Sequence, residues 1–437
     1  MTRQAAPVVP PVVLSIAGSD SGGGAGIQAD TKTIEAGGAF ATTAITSVTA
    51  QNTRGVRAVT TLDPAEVEGQ IDAVVEDFDV RAVKTGMLAT TEIVETVAAR
   101  GDDLPALVVD PVMVATSGDR LLDREAEAAY EDLIAEATLV TPNADEAEVL
   151  TGVEVTDADA ARRAGEALVE TGADAALVKG GHVPGDDIVD TLVTGETVHT
   201  YRHDRIDTDA THGSGCTLSS AIATRLAHGD DLPTAVGEGI ALLSRAVRYS
   251  ADVGEGAGSV HHTVEARNEA ARTETTEAVE TVVSGLLDAD AAALVPRGVT
   301  NVVGATPYAE SPADVAAVEG GIGRTRDGLR PNRGVRFGVE TALIDDVLAA
   351  REHDPALRFG VACTATPAVV DALVGLDGPV ATVTEPDADE RVRAAFAATE
   401  ATPAAIVDDH GERVCLLAAT AERLLARVET VVANVDE

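Results

Sequence analysis

The sequence predicts an α/β protein, with a parallel sheet flanked by helices on both faces and a smaller α/β domain after it. Three observations lead there. From Val12 onward, short apolar runs (VVLSIAG, AVKTG, ALVVD, TLVTP and AALVKGG) close on Gly, Asp, Pro or Thr. Between them lie stretches with helical spacing at 64–77, 90–100, 123–136 and 157–171. Strands alternating with helices of that length indicate βαβ units and a parallel sheet. The chain has 437 residues, and at about 150 residues per domain that leaves room for two or three cores.

The elements follow in order. Asp20, Lys84, Asp110, Asn143 and Gly180 each follow an expected strand, at the carboxyl ends where open α/β sheets bind ligands. The polar stretch EARNEAARTETTE (265–277) contains neither Pro nor Gly, so it reads as the start of a helix rather than a loose linker. We place the boundary near 270, within ten residues. Beyond it the sequence predicts a helix at 275–288, strands at 301–305, 335–339, 358–363, 379–384 and 404–407, and a closing helix at 420–434. There is no internal repeat or low-complexity tract.

Composition narrows the function. Asp and Glu number 73 against 32 Lys and Arg, a net charge of −41, which repels nucleic acid and anionic membranes. An apolar content of 45% with clear periodicity argues against disorder. Only three residues are lysine: Lys32, Lys84 and Lys179. Acid-rich and lysine-poor chains suit molar intracellular salt, where screening shortens to about 3 Å. Cys216, Cys363 and Cys415 are too few and too scattered for a disulfide framework or zinc site. No apolar run approaches membrane-spanning length. The start, with Pro7, Pro10 and Pro11, is not a signal peptide. A cytoplasmic protein is expected.

The strongest local signal is THGSGCTLSSAIATRLA (211–227). Gly213, Ser214 and Gly215 permit a tight turn into a helix whose first N–H groups are unpaired at its positive pole, an anion hole for a phosphoryl group. Cys216 lies in the first turn, where its thiol pKa should fall, so it is a candidate base toward a substrate hydroxyl. The alternative is a glycine-rich start to a buried helix with an inert cysteine. AGSDSGGGAGIQADTKT (17–33) lacks the GK[ST] ending of a P-loop and the distant acid of a dinucleotide site. It reads as a close-approach loop covering a substrate. Asp110 and Glu146 are carboxylates suited to Mg²⁺. Lys84 and Lys179 end strands beside glycine, and Met87 and Met113 suit the walls of a planar ligand site or, equally, a core.

GSDSGGGAGIQAD, AQNTRGV, KTGML, DPVM, TPNADEA, KGGH and THGSGC, in this order, resemble the hydroxymethylpyrimidine and hydroxymethylpyrimidine-phosphate kinases of thiamine biosynthesis, within the ribokinase-like superfamily. VHH (260–262) fits as well. The resemblance covers 11–266, leaving 1–10 as an N-terminal extension. It implies phosphorylation of the pyrimidine alcohol and then of its monophosphate, with ATP and Mg²⁺, in one site of a homodimer. It places Gln51, Asp30, Met87 and Gly18 at the pyrimidine, and Gly213, Ser214, Gly215 and Cys216 at the anion hole and base. It puts Asn143, Lys179, His212 and Asp110 at ATP, with Glu146 and Asp110 at the metal. Pyridoxal kinases share the DPVM and TPN elements, while AQNT and the cysteine favour the pyrimidine.

Residues 276–435 resemble the thiamine-phosphate synthase domain that archaea fuse to this kinase, around Asn301, Asp314 and Val315. The segments FGVETALID (337–345), GVACTAT (360–366) and GERVC (411–415) depart from that family where its Ser, His, Arg and Lys residues stand. A domain that binds ligand or regulates is therefore expected, the alternatives being a live synthase or a non-catalytic sensor. Arg324, Arg326, Arg330, Arg333 and Arg336, opposed within their stretch by Asp327 alone, form a candidate phosphate patch, with local salt bridging as the alternative.

Overall fold

The computed structural model describes residues 4, 6–113, 129–289, 291–326, 328–408 and 413–436. The part of the expected helix at 123–128, Asp327 and residues 411–412 of GERVC lie outside the described residues. The chain divides into two compact units, residues 1–266 and 267–437.

The first unit runs β1 (Val12–Ala17), α1 (Gly26–Ala36), β2 (Phe40–Ile45), β3 (Ser47–Asn52), β4 (Gly55–Thr61), α2 (Pro64–Val75), β5 (Val80–Thr85) and α3 (Thr91–Ala98). It continues through β6 (Leu107–Val109), α4 (Tyr130–Ala135), β7 (Leu139–Val140), α5 (Ala144–Thr151), α6 (Ala158–Thr171), β8 (Ala175–Val178), β9 (Asp187–Thr194) and β10 (Val198–Asp204). It closes with α7 (Ser214–His228) and α8 (Leu232–Arg248). Eight strands form one sheet in the order β10-β9-β8-β7-β6-β5-β1-β2. Pairing is parallel from β2 to β8 and antiparallel through β9 and β10.

Alternate residues of the inner strands feed two cores. Leu14, Ile16, Val83, Val109 and Val140 face one layer with α2, α3 and α4. Val13, Ala82, Val108, Leu139 and Leu177 face the other, with residues of α1, α7 and α8. Burial on both faces produces unbroken apolar runs, which is why these strands stand out in the sequence. In contrast, β10 alternates half-buried and exposed residues, and β3 and β4 form a separate, largely polar hairpin. Helix starts follow local chemistry: Asp63 and Glu66 form a capping box before α2, and Asp157 caps α6.

In the polar stretch 265–277 the structure has α9 (Val264–Ala270) and α10 (Arg272–Asp288), so it is helix, as its lack of Pro and Gly implied. The second unit continues β11 (Val299–Thr300), β12 (Val302–Ala305), β13 (Val315–Val318), β14 (Ile322–Thr325), β15 (Gly328–Pro331), β16 (Val335–Phe337) and α11 (Ala342–His353). There follow β17 (Phe359–Thr364), α12 (Pro367–Ala372), β18 (Val380–Val383), α13 (Ala388–Ala397), β19 (Ala405–Asp408), β20 (Arg413–Ala418) and α14 (Ala421–Asp436). Its main sheet has the order β16-β13-β12-β17-β20-β19-β18, with a small β11-β14-β15 sheet beside it. All its pairs are antiparallel except β18 with β19. Among the described residues no helix is long and apolar enough to cross a membrane.

Candidate active site

The inner strands of the first unit end at a cavity of about 1040 Å³. Its lining includes Gly18, Gln51, Met87, Asp110, Asn143, Glu146, Lys179, His212 and the run Gly213–Cys216. Of the residues the sequence assigns to the site, Asp30 does not line it.

Helix α7 begins at the cavity for a stated geometric reason. Gly213 precedes it with φ +84°, and a Cβ there would lie 1.8 Å from the carbonyl oxygen of Gly24. Only glycine fits. Thr217 closes the first turn, donating from both its N–H and its hydroxyl to the Gly213 carbonyl. The Ser214 N–H is taken by Thr211. The Gly215 and Cys216 N–H groups have no partner among the described residues, and they stand at the positive helix pole. The expected tight turn into a helix is therefore present, with these two unpaired N–H groups at its start.

Cys216 corrects one expectation. Burial pushes its thiol up to about 11; Lys84 acts against this, while Asp30 and Asp110 add to it. The helix N-terminus is outweighed by desolvation and two nearby carboxylates. The group is a thiol at neutral pH, not a thiolate.

Asp110 directly follows β6. It accepts from Lys179 Nζ at 3.1 Å, Thr141 Oγ1 at 3.3 Å and Ser219 Oγ at 3.4 Å. Asn143 and Glu146 form the capping box of α5, each side chain accepting the other's backbone N–H. That bond fixes Glu146 with one oxygen 4.0 Å from Lys179 Nζ. Burial raises Glu146 to about 7, Lys179 opposes the shift and Asp110 adds to it. Among the described residues there is no cluster of three or more His, Cys, Asp and Glu for a metal. Mg²⁺ does not need one, since it takes one or two carboxylates and fills its remaining positions with water and phosphate. Asp110 and Glu146 fit that role, and a cation between them would offset both the burial that raises Glu146 and the added repulsion of Asp110.

The glycine-rich loop after β1 turns its N–H groups inward. Asp20, 1% exposed, accepts from the backbone of Gly22, Gly24 and Ala25 at 2.7–2.9 Å, and His212 Nε2 stands 3.1 Å away. Burial pushes the Asp20 carboxyl up, but His212 and the backbone N–H groups outweigh it and hold it below the usual range. The loop thus holds its own anion and is not a phosphate cradle. His212, expected at the nucleotide, sits with Asp20 and lies 3.4 Å from Gln51 Nε2. The reason is its position one residue before the Gly213 turn, which presses it against Gly24. At the same end Gly18 lets Met87 approach closely, since an added Cβ would lie 2.3 Å from Met87 Cε.

Asp30 and Lys84 correct the sequence reading together. Lys84 lies within β5 rather than beyond it, and its ammonium is 2.9 Å from Asp30 Oδ1. Asp30 also accepts from Ser15 at 2.6 Å and Ser220 at 2.8 Å. It is fully buried and its acceptors are occupied, so it anchors the site from beneath. Burial pulls Lys84 down, yet Asp30, Cys216 and Asp110 outweigh it and raise its pKa. Lys32, the remaining lysine, donates to the Gly23 carbonyl at 2.6 Å. All three lysines therefore serve this cavity or the loops around it.

Sequence reasoning missed the structural partners. Thr141 and Ser219 on Asp110, and Ser15 and Ser220 on Asp30, leave no signal beyond their proximity to named motifs. His262 carried one, in VHH: its Nδ1 lies 2.8 Å from Thr217 Oγ1, behind the α7 turn.

In the second unit the arginine cluster does not share one face. Arg333 and Arg336 both pair with Glu319 at 3.2 Å. On the β14–β15 hairpin Arg324 is opposite Leu329, while Arg330 is opposite Gly323, so side-chain alternation sends the two to opposite faces. The expected patch is divided, partly by local salt bridging. Asn301 acts as a strand tie, donating to the Val318 carbonyl and accepting from the Val302 and Val318 N–H groups.

A helix N-terminus with free N–H groups, beside a carboxylate–ammonium pair at the carboxyl ends of inner strands, suits the handling of phosphoryl groups. Residues 20–261 match the family described as Phosphomethylpyrimidine kinase, and the chain belongs to that family of phosphotransferases. Residues 278–429 match Thiamine-phosphate synthase ThiN. The chain is 48% identical over 265 residues to a hydroxymethylpyrimidine/phosphomethylpyrimidine kinase of Streptomyces coelicolor, covering 60% of this chain and 98% of that one. It is 45% identical over 259 residues to a thiamine biosynthesis bifunctional protein ThiED of Geobacter sulfurreducens, covering 59% and 53% respectively. Among solved structures, an ADP complex of Bacillus subtilis pyridoxal kinase superposes with TM-score 0.54 at 32% identity, covering 58% of this chain and 98% of that one. Pyridoxal kinase from Staphylococcus aureus with ADP gives 0.56 at 30%, covering 60% and 96%. The fold of the first unit is ribokinase-like.

Proposed function

We propose that this chain transfers the γ-phosphoryl group of ATP to the hydroxymethyl oxygen of hydroxymethylpyrimidine, and then phosphorylates the monophosphate to the diphosphate, in thiamine biosynthesis. The observation that carries this is the pair of free N–H groups at Gly215 and Cys216, in the same cavity as the Asp110–Lys179 pair. In each step the bond from the γ-phosphorus to the ADP oxygen breaks and one to the substrate oxygen forms. Gly213–Cys216 would stabilise the moving group and Lys179 the departing charge, since such transfer depends on positioning and electrostatics. Asp110 and Glu146 would hold Mg²⁺, which supplies charge neutralisation on the phosphates. Asn143 would act at the nucleotide side through its hold on Glu146. Gln51, Met87 and Gly18 would face the pyrimidine, with His212 beside Gln51.

The hydroxyl proton of the first step would pass to the small thiolate fraction of Cys216. The monophosphate is already deprotonated and needs no such base. The relatives named as hydroxymethylpyrimidine/phosphomethylpyrimidine kinases support this substrate over pyridoxal, which remains the second reading because of the pyridoxal kinase neighbours. Functional domains at 11–266 and 276–435, a homodimer and a cytoplasmic, salt-adapted protein complete the proposal. For the second domain we assign ligand binding or regulation; its ThiN match favours, as a second reading, a joined synthase. Purified protein given Mg-ATP and the pyrimidine in molar KCl should yield mono- and diphosphate by mass, and turnover of pyridoxal alone would move the assignment.

A further inference from the structure

We infer that Arg205 is a positioning residue for nucleotide binding, shaping the loop that walls one end of the cavity without itself gripping phosphate. The inference rests on the kinase reading above. An arginine on the wall of a phosphate-handling cavity invites assignment as an anion clamp. Here three of its five N–H donors, one on each nitrogen, are committed to the loop backbone. Nε donates to the Gly185 carbonyl at 2.8 Å, Nη1 to Gly181 at 2.9 Å and Nη2 to Val183 at 2.7 Å. Its own backbone N–H donates to Asp186 at 3.0 Å.

The loop it holds, residues 181–186, joins β8 to β9 and follows Lys179 and Gly180 directly. It has neither helix nor strand, and most of it is exposed. Among the described residues its backbone makes one further bond, from the Val183 N–H to the Gly180 carbonyl. Arg205 itself immediately follows β10 and lies on the segment that leads to Gly213. One guanidinium therefore ties the loop after Lys179 to the chain that enters the anion hole.

The wall near this loop carries an apolar patch among acidic residues such as Asp186 and Asp207. Ile188, Ile206, Leu243 and Val247 line the cavity and are each only partly buried. Such walls suit a flat heteroaromatic ring. The pyrimidine end, at Gly18, Met87 and Gln51, is built from other elements. Arg205 thus acts on the base and ribose of the nucleotide through the loop, and not on the transferring phosphoryl. A lysine cannot replace it, because a single ammonium cannot span three carbonyls set two residues apart.

The test compares binding of adenosine, ADP and ATP by calorimetry, together with KM for ATP and kcat, in the full chain and its Arg205→Ala and Arg205→Lys variants. Arg205→Ala should weaken all three ligands by the same factor, about tenfold or more. KM for ATP should rise by that factor with kcat nearly unchanged. Added guanidinium should restore binding to Arg205→Ala, and Arg205→Lys should do no better than Ala. Weakened ADP and ATP with unchanged adenosine would make Arg205 a phosphate clamp and overturn the inference, as would unchanged binding of all three. If Arg205→Ala does not fold, Arg205→Gln supports the same comparison. Wild-type protein that binds no nucleotide would instead overturn the kinase reading itself.

Discussion

Lys84 and Asp30 form an ion pair sealed from solvent, with Nζ 2.9 Å from Oδ1 and neither side chain exposed. Through Ser15 and Ser220 the same carboxylate joins β1, α1, β5 and α7. The pair thus fixes the strand that carries Met87 toward the cavity relative to the helix that carries the anion hole. Removing one partner strands the other in a dry interior.

Lys84→Met should therefore destabilise the protein by about 3–5 kcal/mol, read by denaturant unfolding in molar KCl. Replacing both partners, Lys84→Met with Asp30→Asn, should recover part of that loss, because the amide oxygen still accepts from the buried serines. A single variant as stable as wild type would show that the pair does not hold the floor of the site.

Asp20→Asn should cost about 3 kcal/mol, because the amide offers one acceptor oxygen where the carboxylate serves three backbone N–H groups and His212. The carboxyl is held below its ordinary value. Its contribution is present above the unfolded carboxylate range and is lost as pH falls through the depressed value. Wild-type melting temperature should fall steeply on acidification below about pH 4, and Asp20→Asn should lose part of that slope. Equal acid slopes in the two proteins would contradict this role.

Much of this site was legible in the sequence, and the reasons for the rest are physical. Strand-end motifs revealed Asp110, Asn143 and Lys179, because parallel strands buried on both faces give unmistakable apolar runs, and the glycine spacing revealed the 213–216 turn. The edge strand β10 and the β3–β4 hairpin escaped because a sheet edge and an exposed ribbon carry polar alternation. Asp30 and Lys84 misled because a charged residue in a motif reads as a ligand contact until its partner is known. Cys216 misled because sequence shows a helix start but not the burial of the thiol or the carboxylates around it. In the second unit, linear clustering of arginines implied convergence, and strand alternation divided them.

The Cys216 thiol, pushed up to about 11, gives the first phosphorylation a pH signature. If the rare thiolate accepts the hydroxyl proton, the rate of that step rises with pH from neutrality upward, up to about tenfold per unit where chemistry limits. Cys216→Ala should flatten that rise and slow the second phosphorylation less. A flat wild-type profile, or equal losses in both steps, would remove the base role.

For the divided arginine cluster, thiamine phosphate should leave tryptic cleavage at 324–336 unchanged. Arg333 and Arg336 are already paired with Glu319, and exposed pairs of this kind contribute little to stability. Ligand-dependent protection that disappears in Arg330→Ala would show that the arginines close on a phosphate after all.

The most direct test follows the products of one reaction by mass: the full chain in molar KCl with Mg-ATP and hydroxymethylpyrimidine, then thiazole phosphate. The account predicts monophosphate followed by diphosphate, and no thiamine phosphate after the second addition. Absence of both pyrimidine phosphates, with ATP bound, would contradict the assigned substrate, and thiamine phosphate would contradict the binding role given to the second domain.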